Sequence, residues 1–478
     1  VLVDLAEQLD AIVSPLIHSK IINSSNSNKT GELSSIQDLS AVKQFITGQP
    51  ILSLLDAPWF FVYLLFIFLL HSTLGFLALV STFFLFSLAI LSSWATTKRL
   101  EQSQKAIAQE RRLVSNVLSA SDSIRLMGMG DSIAGRLKAA RSLYLENLLV
   151  ASTRGVSFSA VSKFFRTAIQ SLTLGWGAYL VITGELSGGM IIASSILLGK
   201  ILSPIEGLIV SWKQFADFKK SHNSLNKLLE GYEERRDNIS LGRPKGLLRL
   251  VNATLRLRNE GRPTLDSINL VAHPGECLAI IGPSGAGKTS LIKSLAGLTI
   301  LDQGQALIDG SEMAHKTWRG LGEHIGYLSQ TTELMAGKIS ENIARFSTVD
   351  SKALIRAAEL AGAHEMIMSL PGSYESILGD SGQGLSEGQK RKVGLARAIY
   401  GDPAIVFLDE PGSGLDDVSL RHVLNALQTL KKDGATVIFT THQGSLIQLA
   451  DRVAVVVDGQ IKMHGTREEV MQSLALRK

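Results

Sequence analysis

Eight consecutive residues, Gly282, Pro283, Ser284, Gly285, Ala286, Gly287, Lys288 and Thr289, fit the pattern G-x-x-x-x-G-K-[ST] at every fixed position, and Ser290 follows them. Glycines let successive backbone N–H groups turn toward one point, and a helix starting there adds its positive end, so the segment suits a chain of phosphates. Lys288 would reach the β- and γ-phosphates, and the Thr289 hydroxyl would bind Mg²⁺. A second constellation, residues 404–410, is an apolar run that ends in Asp409 and Glu410. At the end of a buried strand Asp409 would hold the Mg²⁺, and Glu410 would orient and deprotonate a water attacking a phosphoanhydride. Alone, such a pair is a solvated strand end; beside a phosphate loop it is a metal and base site.

Three further positions join them. Ser386 at an N-cap with Gln389 at N3 makes a capping box, and with Gly388 it leaves a helix start that can bind an anion. Gln330, after the apolar residues 325–328, can face the metal or its water, and His442, after 436–440, can face a γ-phosphate. Singly, each is an ordinary polar residue at the end of an element. Their order along the chain ties them to Gly282–Thr289.

These side chains need a frame. The phosphate loop requires a strand before it, at 277–281, and a helix after it, from Lys288 to Leu295. From Gly246 onward, short β-like runs such as 278–281, 404–408 and 437–439 alternate with helical patterns, which predicts an α/β domain with a largely parallel sheet over 246–478. Residues 231–245 are charged, contain Gly242 and Pro244, and predict a linker.

Residues 1–230 have a different texture. Of 478 residues in all, only 19% are charged and 45% are hydrophobic, and length alone suggests two or three domains. Residues 58–94 contain no Asp, Glu, Lys or Arg. As one helix that run would be about 55 Å long against a hydrocarbon core of roughly 30 Å, so it predicts two spans, at 54–71 and 75–96, broken around His71 and Gly75. Two more spans are expected at 156–183 and 188–212, joined by a turn at 184–189 without Lys or Arg. The stretch 98–154 carries Lys98, Arg99, Lys105, Arg111, Arg112, Arg125, Arg136, Lys138, Arg141 and Arg154, which places it on the cytoplasmic side and both short turns outside. Its length implies that the membrane helices continue well into the cytoplasm. Lys200 and Glu206 stand in the last span around Pro204; such charges face a pathway or a partner, or, for Lys200, snorkel to an interface. Residues 1–22 are either the lower end of a membrane helix or a surface helix.

Several classes are excluded. A single cysteine, Cys277, rules out a disulfide framework or a cysteine zinc site within the chain. Lys and Arg total 48 against 43 Asp and Glu, too small an excess for a nucleic-acid binder. No cleavable signal peptide opens the sequence, and the first residue is Val1, so part of the N-terminus is expected to be missing.

Together these residues resemble the ATP-binding cassette superfamily over about 200 residues. Gly282–Thr289 is similar to its Walker A loop, Gln330 to its Q-loop, and Leu385–Gln389 to its signature. Asp409 and Glu410 resemble Walker B and the catalytic glutamate, Ser413, Gly414, Leu415 and Asp416 the D-loop, and His442 the switch histidine. The resemblance implies ATP and Mg²⁺ as ligands, with Glu410, His442 and Gln330 catalytic and Thr289, Gln330 and Asp409 around the metal. One cassette per chain implies a dimer, because the signature of one subunit completes the ATP site of another. The positions 54–59, His71, Gly75, 127–129 and 203–206 resemble the permease–ATPases of type I secretion, in the branch exporting metalloproteases, lipases and haem-binding proteins.

From that resemblance follow a helical transmembrane domain of the exporter type joined to an α/β P-loop cassette, and six membrane helices per subunit. Four are visible, so the first two are expected to be absent or only partly represented near residues 1–22. It also implies a homodimer in the lipid bilayer of a bacterial inner membrane, with the cassette in the cytoplasm. Its partners would be a periplasmic adaptor, an outer-membrane channel and a secreted polypeptide, and residues 121–130 would couple the two domains. The alternative is an exporter of lipid or small molecules on the same architecture, without adaptor or channel. A soluble cassette ATPase of nucleic-acid repair or translation is opposed by residues 58–94. Two features depart from the family: Glu387 replaces the commoner glycine of the signature, and no aromatic stands near Leu257 to stack on adenine, leaving Arg256 or Arg258 for that role.

Overall fold

The computed structural model describes residues 1–23, 29–230, 242–256, 261–312 and 320–476. The chain divides into two compact units, Val1–Tyr232 and Glu233–Lys478. Most of the expected linker, 231–241, lies outside the described residues.

The first unit is helical: α1 (Leu2–Asn23), α2 (Lys29–Thr47), α3 (Gln49–Asp56), α4 (Trp59–Leu70), α5 (Ser72–Ser119), α6 (Ser121–Leu126), α7 (Gly130–Ile182) and α8 (Gly188–Leu229). At 1.5 Å per residue, the 48 residues of α5 and the 53 of α7 extend about 70–80 Å, more than twice the thickness of a hydrocarbon core. The two are joined through α6 and a turn in which Gly128 takes φ +65°. That turn falls within 121–130, the residues expected to couple the two domains.

The uncharged run does split near His71. This residue is extended (φ −163°), and its Nδ1 accepts the Thr73 N–H at 3.3 Å, capping α5. The expected span at 54–71 is not one straight helix. It is the pair α3 and α4, bent by 46° where Pro58 has no N–H to donate. Among the described residues, α5 and the Gly188–Trp212 part of α8 are long and apolar enough to cross a membrane, and the bent pair adds a third crossing if it is one span. Residues 156–182 lie in α7, where Arg166, Gln170 and several Ser, Thr and Gly residues dilute the apolar character.

Packing follows the same division. Ile67, Leu74, Leu85, Leu198, Ile201 and Leu202 form a core between α4, α5 and α8, while Phe61, Leu69, Phe76, Phe83 and Phe164 stay more than half exposed. Large apolar side chains on that scale suit a lipid-facing surface rather than water. Helix α1 is long enough for a span but too polar, with Asp4, Glu7, Asp10 and Lys20; it packs on α2 and α8 through Ile17, Leu39, Val42 and Leu225. Glu206 is buried at 7% exposure with its Oε2 2.7 Å from Arg166 Nη1, whereas Lys200 is exposed.

The second unit holds strands β1 (Leu248–Leu255), β2 (Leu265–Ala272), β3 (Cys277–Ile281), β4 (Gln303–Ile308), β5 (Ser311–Glu312), β6 (Ile325–Leu328), β7 (Gly337–Lys338), β8 (Ile377–Leu378), β9 (Ile405–Asp409), β10 (Thr436–Thr440), β11 (Arg452–Val457) and β12 (Gln460–Thr466). One sheet runs β12-β11-β3-β10-β9-β6, parallel except for β12; a second, antiparallel sheet runs β2-β1-β4-β5. Strands β3, β9 and β10 are buried at nearly every position and apolar at most of them because both faces are covered. Val406, Leu408, Val437 and Phe439 face one core; Ile405, Phe407, Ile438 and Ile280 face the other.

Candidate nucleotide site

Parallel strands bring their carboxyl ends to one edge, and the phosphate loop, Gln330, Asp409, Glu410 and His442 lie there. Thr440 at the end of β10 is level with Ile280 of β3 on one side and Asp409 of β9 on the other. The phosphate loop leaves β3 at Gly282, where φ is +153° and a Cβ would run into the Val456 carbonyl. It enters the helix Lys288–Leu295 at Gly287, whose φ is +100° and whose added Cβ would lie 2.8 Å from the Thr264 carbonyl oxygen. Glycine is required at both positions.

Lys288 is 7% exposed and donates from Nζ to the Gly282 carbonyl at 2.9 Å and the Pro283 carbonyl at 3.0 Å. Its ammonium is therefore held inside the loop. Burial lowers its pKa, and the nearby Glu410 and Asp409 carboxylates oppose that shift. Thr289 and Ser290 follow in the first turn of the helix, half-buried.

Asp409 is 1% exposed. Its Oδ1 accepts the Thr440 hydroxyl at 2.7 Å, while its Oδ2 is buried with no hydrogen-bond partner among the described residues. An orphaned carboxylate oxygen is costly unless a cation or its water uses it. Among the described residues no group of three or more His, Cys, Asp and Glu gathers to cage an ion. One carboxylate plus a hydroxyl and phosphates is the way Mg²⁺ is usually held, so the donor set fits that ion.

Glu410 adopts φ +53°, a left-handed conformation rare outside glycine, and its N–H donates to Thr440 Oγ1 at 2.8 Å. The turn aims the carboxylate between two neighbours: Oε1 lies 3.4 Å from His442 Nε2, and Oε2 3.5 Å from Gln330 Nε2. Gln330, Glu410 and His442 thus converge from the ends of β6, β9 and β10.

The signature residues stand apart from the loop in the chain. Ser386 caps the helix Glu387–Ile399: its Oγ accepts the Gln389 N–H at 3.3 Å, and Gln389 Oε1 accepts the Ser386 N–H at 2.8 Å. Among the described residues no hydrogen bond links Ser386, Gly388 or Gln389 to Gly282–Ser290. Glu387 pairs with Lys390 at 2.8 Å. For adenine, Leu257 and Arg258 lie outside the described residues, and Arg256 is exposed with its backbone N–H on Asp302 at 2.6 Å.

Two residues at this edge escape sequence reasoning. Thr440 matters because of strand register, which the sequence does not display. Arg391, in the basic run Lys390–Lys392, has the pattern of a solvated helix face, yet it reaches the carbonyls of Gln330 and Ser413.

The family model described as ABC transporter matches residues 265–413, and that of the ABC transporter transmembrane region matches 17–205. An AAA-domain model matches 381–448 within the cassette. The chain is 31% identical over 440 residues to the type I secretion system ATP-binding protein PrsD of Rhizobium meliloti (strain 1021), covering 92% of this chain and 76% of that protein. The chain belongs to the ABC transporter family. The transporter is also 29% identical to the toxin RTX-I translocation ATP-binding protein of Actinobacillus pleuropneumoniae and to the leukotoxin translocation ATP-binding protein LktB of Mannheimia haemolytica. It spans 62% of the length of each of those two. Among solved structures, a bacterial Atm1-family ABC exporter with ATP bound matches 98% of this chain and 84% of its own with a TM-score of 0.85 at 19% identity, a likeness of fold. The transporter is thus a membrane-embedded helical domain joined to a P-loop cassette, the equipment of an ATPase coupled to transport.

Proposed function

We propose that this transporter is an ATP-hydrolysing exporter subunit of a type I protein secretion system in a bacterial inner membrane. It works as a homodimer, with a periplasmic adaptor and an outer-membrane channel, and moves an unfolded polypeptide outward. The observation that carries the catalytic part is the Glu410 carboxylate, held between Gln330 and His442 on the strand edge that also carries the phosphate loop. The relatives named for type I secretion and toxin translocation support the cargo class.

In this reading the backbone of Gly282, Pro283, Ser284, Gly285, Ala286 and Gly287 wraps the phosphates of ATP, and Lys288 moves from its carbonyl partners to the β- and γ-phosphates. Thr289, Asp409 and Gln330 would hold Mg²⁺, which neutralises charge between those phosphates. Ser290 extends the polar first turn of the helix. Glu410 takes the proton of the attacking water, Gln330 orients that water, and His442 donates to the γ-phosphate. Ser386, Gly388 and Gln389 meet the ATP of the other subunit, with the capped helix start turned to the γ-phosphate. Two ATP molecules hold the cassettes together, and hydrolysis releases them.

The test uses Glu410→Gln, which should bind ATP and hydrolyse it very slowly. Expressed in its native membrane, supplied with ATP and cross-linked, it should co-purify with an adaptor and one secreted protein. Recovery of a cross-linked dimer with lipid alone would contradict protein secretion and favour an exporter of lipid or small molecules.

A further inference from the structure

Arg391 occupies the second turn of the helix Glu387–Ile399, five residues after the N-cap Ser386. Its Nη2–H donates to the Gln330 carbonyl oxygen at 2.9 Å, and its Nη1–H donates to the Ser413 carbonyl oxygen. Both acceptors belong to connections that flank Glu410. Gln330 carries the amide beside Glu410 Oε2, and the Ser413 N–H closes the turn on the Glu410 carbonyl at 3.1 Å. One guanidinium therefore straps the two loops around the base to the helix that begins at Ser386. Neighbouring Lys390 is taken up by Glu387.

The chemistry suits this task. Burial lowers the Arg391 pKa while Glu410, Asp409 and Glu387 pull it back up, and a guanidinium stays charged across the working pH range. Two carbonyls at an angle need two donors fixed in a planar fork, which arginine has and lysine lacks. Charge-assisted bonds of this type are also the stronger class. About 7.5 Å of rigid helix separates Ser386 from Arg391, so displacement of the helix start reaches both straps.

We infer that Arg391 is a positioning residue for hydrolysis. It sets the Gln330 and Ser413 loops so that Glu410 faces the attacking water, and it relays engagement of the Ser386 end of its helix to that carboxylate. This rests on the reading of the site as hydrolytic.

The test compares wild type, Arg391→Gln and Arg391→Lys as full-length chains in lipid nanodiscs, measuring kcat and KM for ATP, thermal melting, and hydrogen exchange. The inference predicts that Arg391→Gln lowers kcat at least about tenfold with KM within about twofold of wild type, and that Arg391→Lys falls between. Melting should be unchanged, and exchange should rise in 329–333 and 410–416 but not in Lys288–Leu295. A kcat within about twofold of wild type overturns it, as does a loss of activity accompanied by a matching loss of melting temperature or a raised KM. Absence of Mg²⁺-dependent hydrolysis by the wild type would instead overturn the hydrolytic reading itself.

Discussion

The Thr440 hydroxyl donates to Asp409 Oδ1 at 2.7 Å while accepting the Glu410 N–H at 2.8 Å. One side chain on β10 thereby fixes both carboxylate-bearing residues at the end of β9. It leaves Asp409 Oδ2 without a hydrogen-bond partner among the described residues, and it supports Glu410 in its left-handed conformation. Thr440→Val keeps the shape and removes the hydroxyl. The variant should lower kcat at least about tenfold and raise the Mg²⁺ concentration needed for half-maximal hydrolysis, measured by titrating Mg²⁺ at saturating ATP.

Among the described residues no carboxylate lies within salt-bridge distance of Lys288, and its hydrogen-bond partners are two loop carbonyls that phosphate oxygens can replace. Lys288→Ala should therefore leave the fold intact and weaken ATP binding by about tenfold or more, as measured by equilibrium binding of a fluorescent ATP analogue. Unchanged affinity would remove the lysine from the phosphate site.

Cys277 is 1% exposed, and burial, reinforced by Asp451, pushes its pKa up from 9.0 to about 12. The folded chain then keeps the thiol proton where the unfolded chain begins to lose it. The thiol's contribution to stability is intact below about pH 9 and declines as pH rises from there toward 12. At pH 8 a maleimide should label the chain only after denaturation. Stoichiometric labelling of the native protein would show that β3 opens.

Arg166 and Glu206 form an ion pair between α7 and α8, with Glu206 the more deeply buried partner. Glu206→Ala should destabilise the helical unit by about 1 kcal/mol, with Arg166→Met costing less, and the double variant Arg166→Met/Glu206→Met should recover most of the loss. Thermal unfolding in detergent distinguishes this from an additive result, which would mean that the two charges act separately.

How much was legible depended on how local the signal was. The phosphate loop, the Asp409–Glu410 pair and the Ser386–Gln389 capping box are contiguous in sequence, so motif spacing located them and the structure shows their local geometry. The uncharged run 58–94 announced membrane helices on composition alone. What the sequence hid is long-range. Thr440 meets Asp409 through sheet register 31 residues away, and Arg391 meets Gln330 across 61. The bend at Pro58 was hidden for another reason, since the expected span 54–71 ran straight through it and hydropathy is blind to a missing N–H.

We propose Glu410 as the base of an ATP-hydrolysing transporter. The most direct test is the Mg²⁺-dependent ATPase rate of the full chain in membranes beside that of Glu410→Gln, with ATP binding measured on the same samples. The variant should bind ATP within about threefold of wild type and hydrolyse it at least about a hundredfold more slowly. Hydrolysis by Glu410→Gln at the wild-type rate would contradict that assignment.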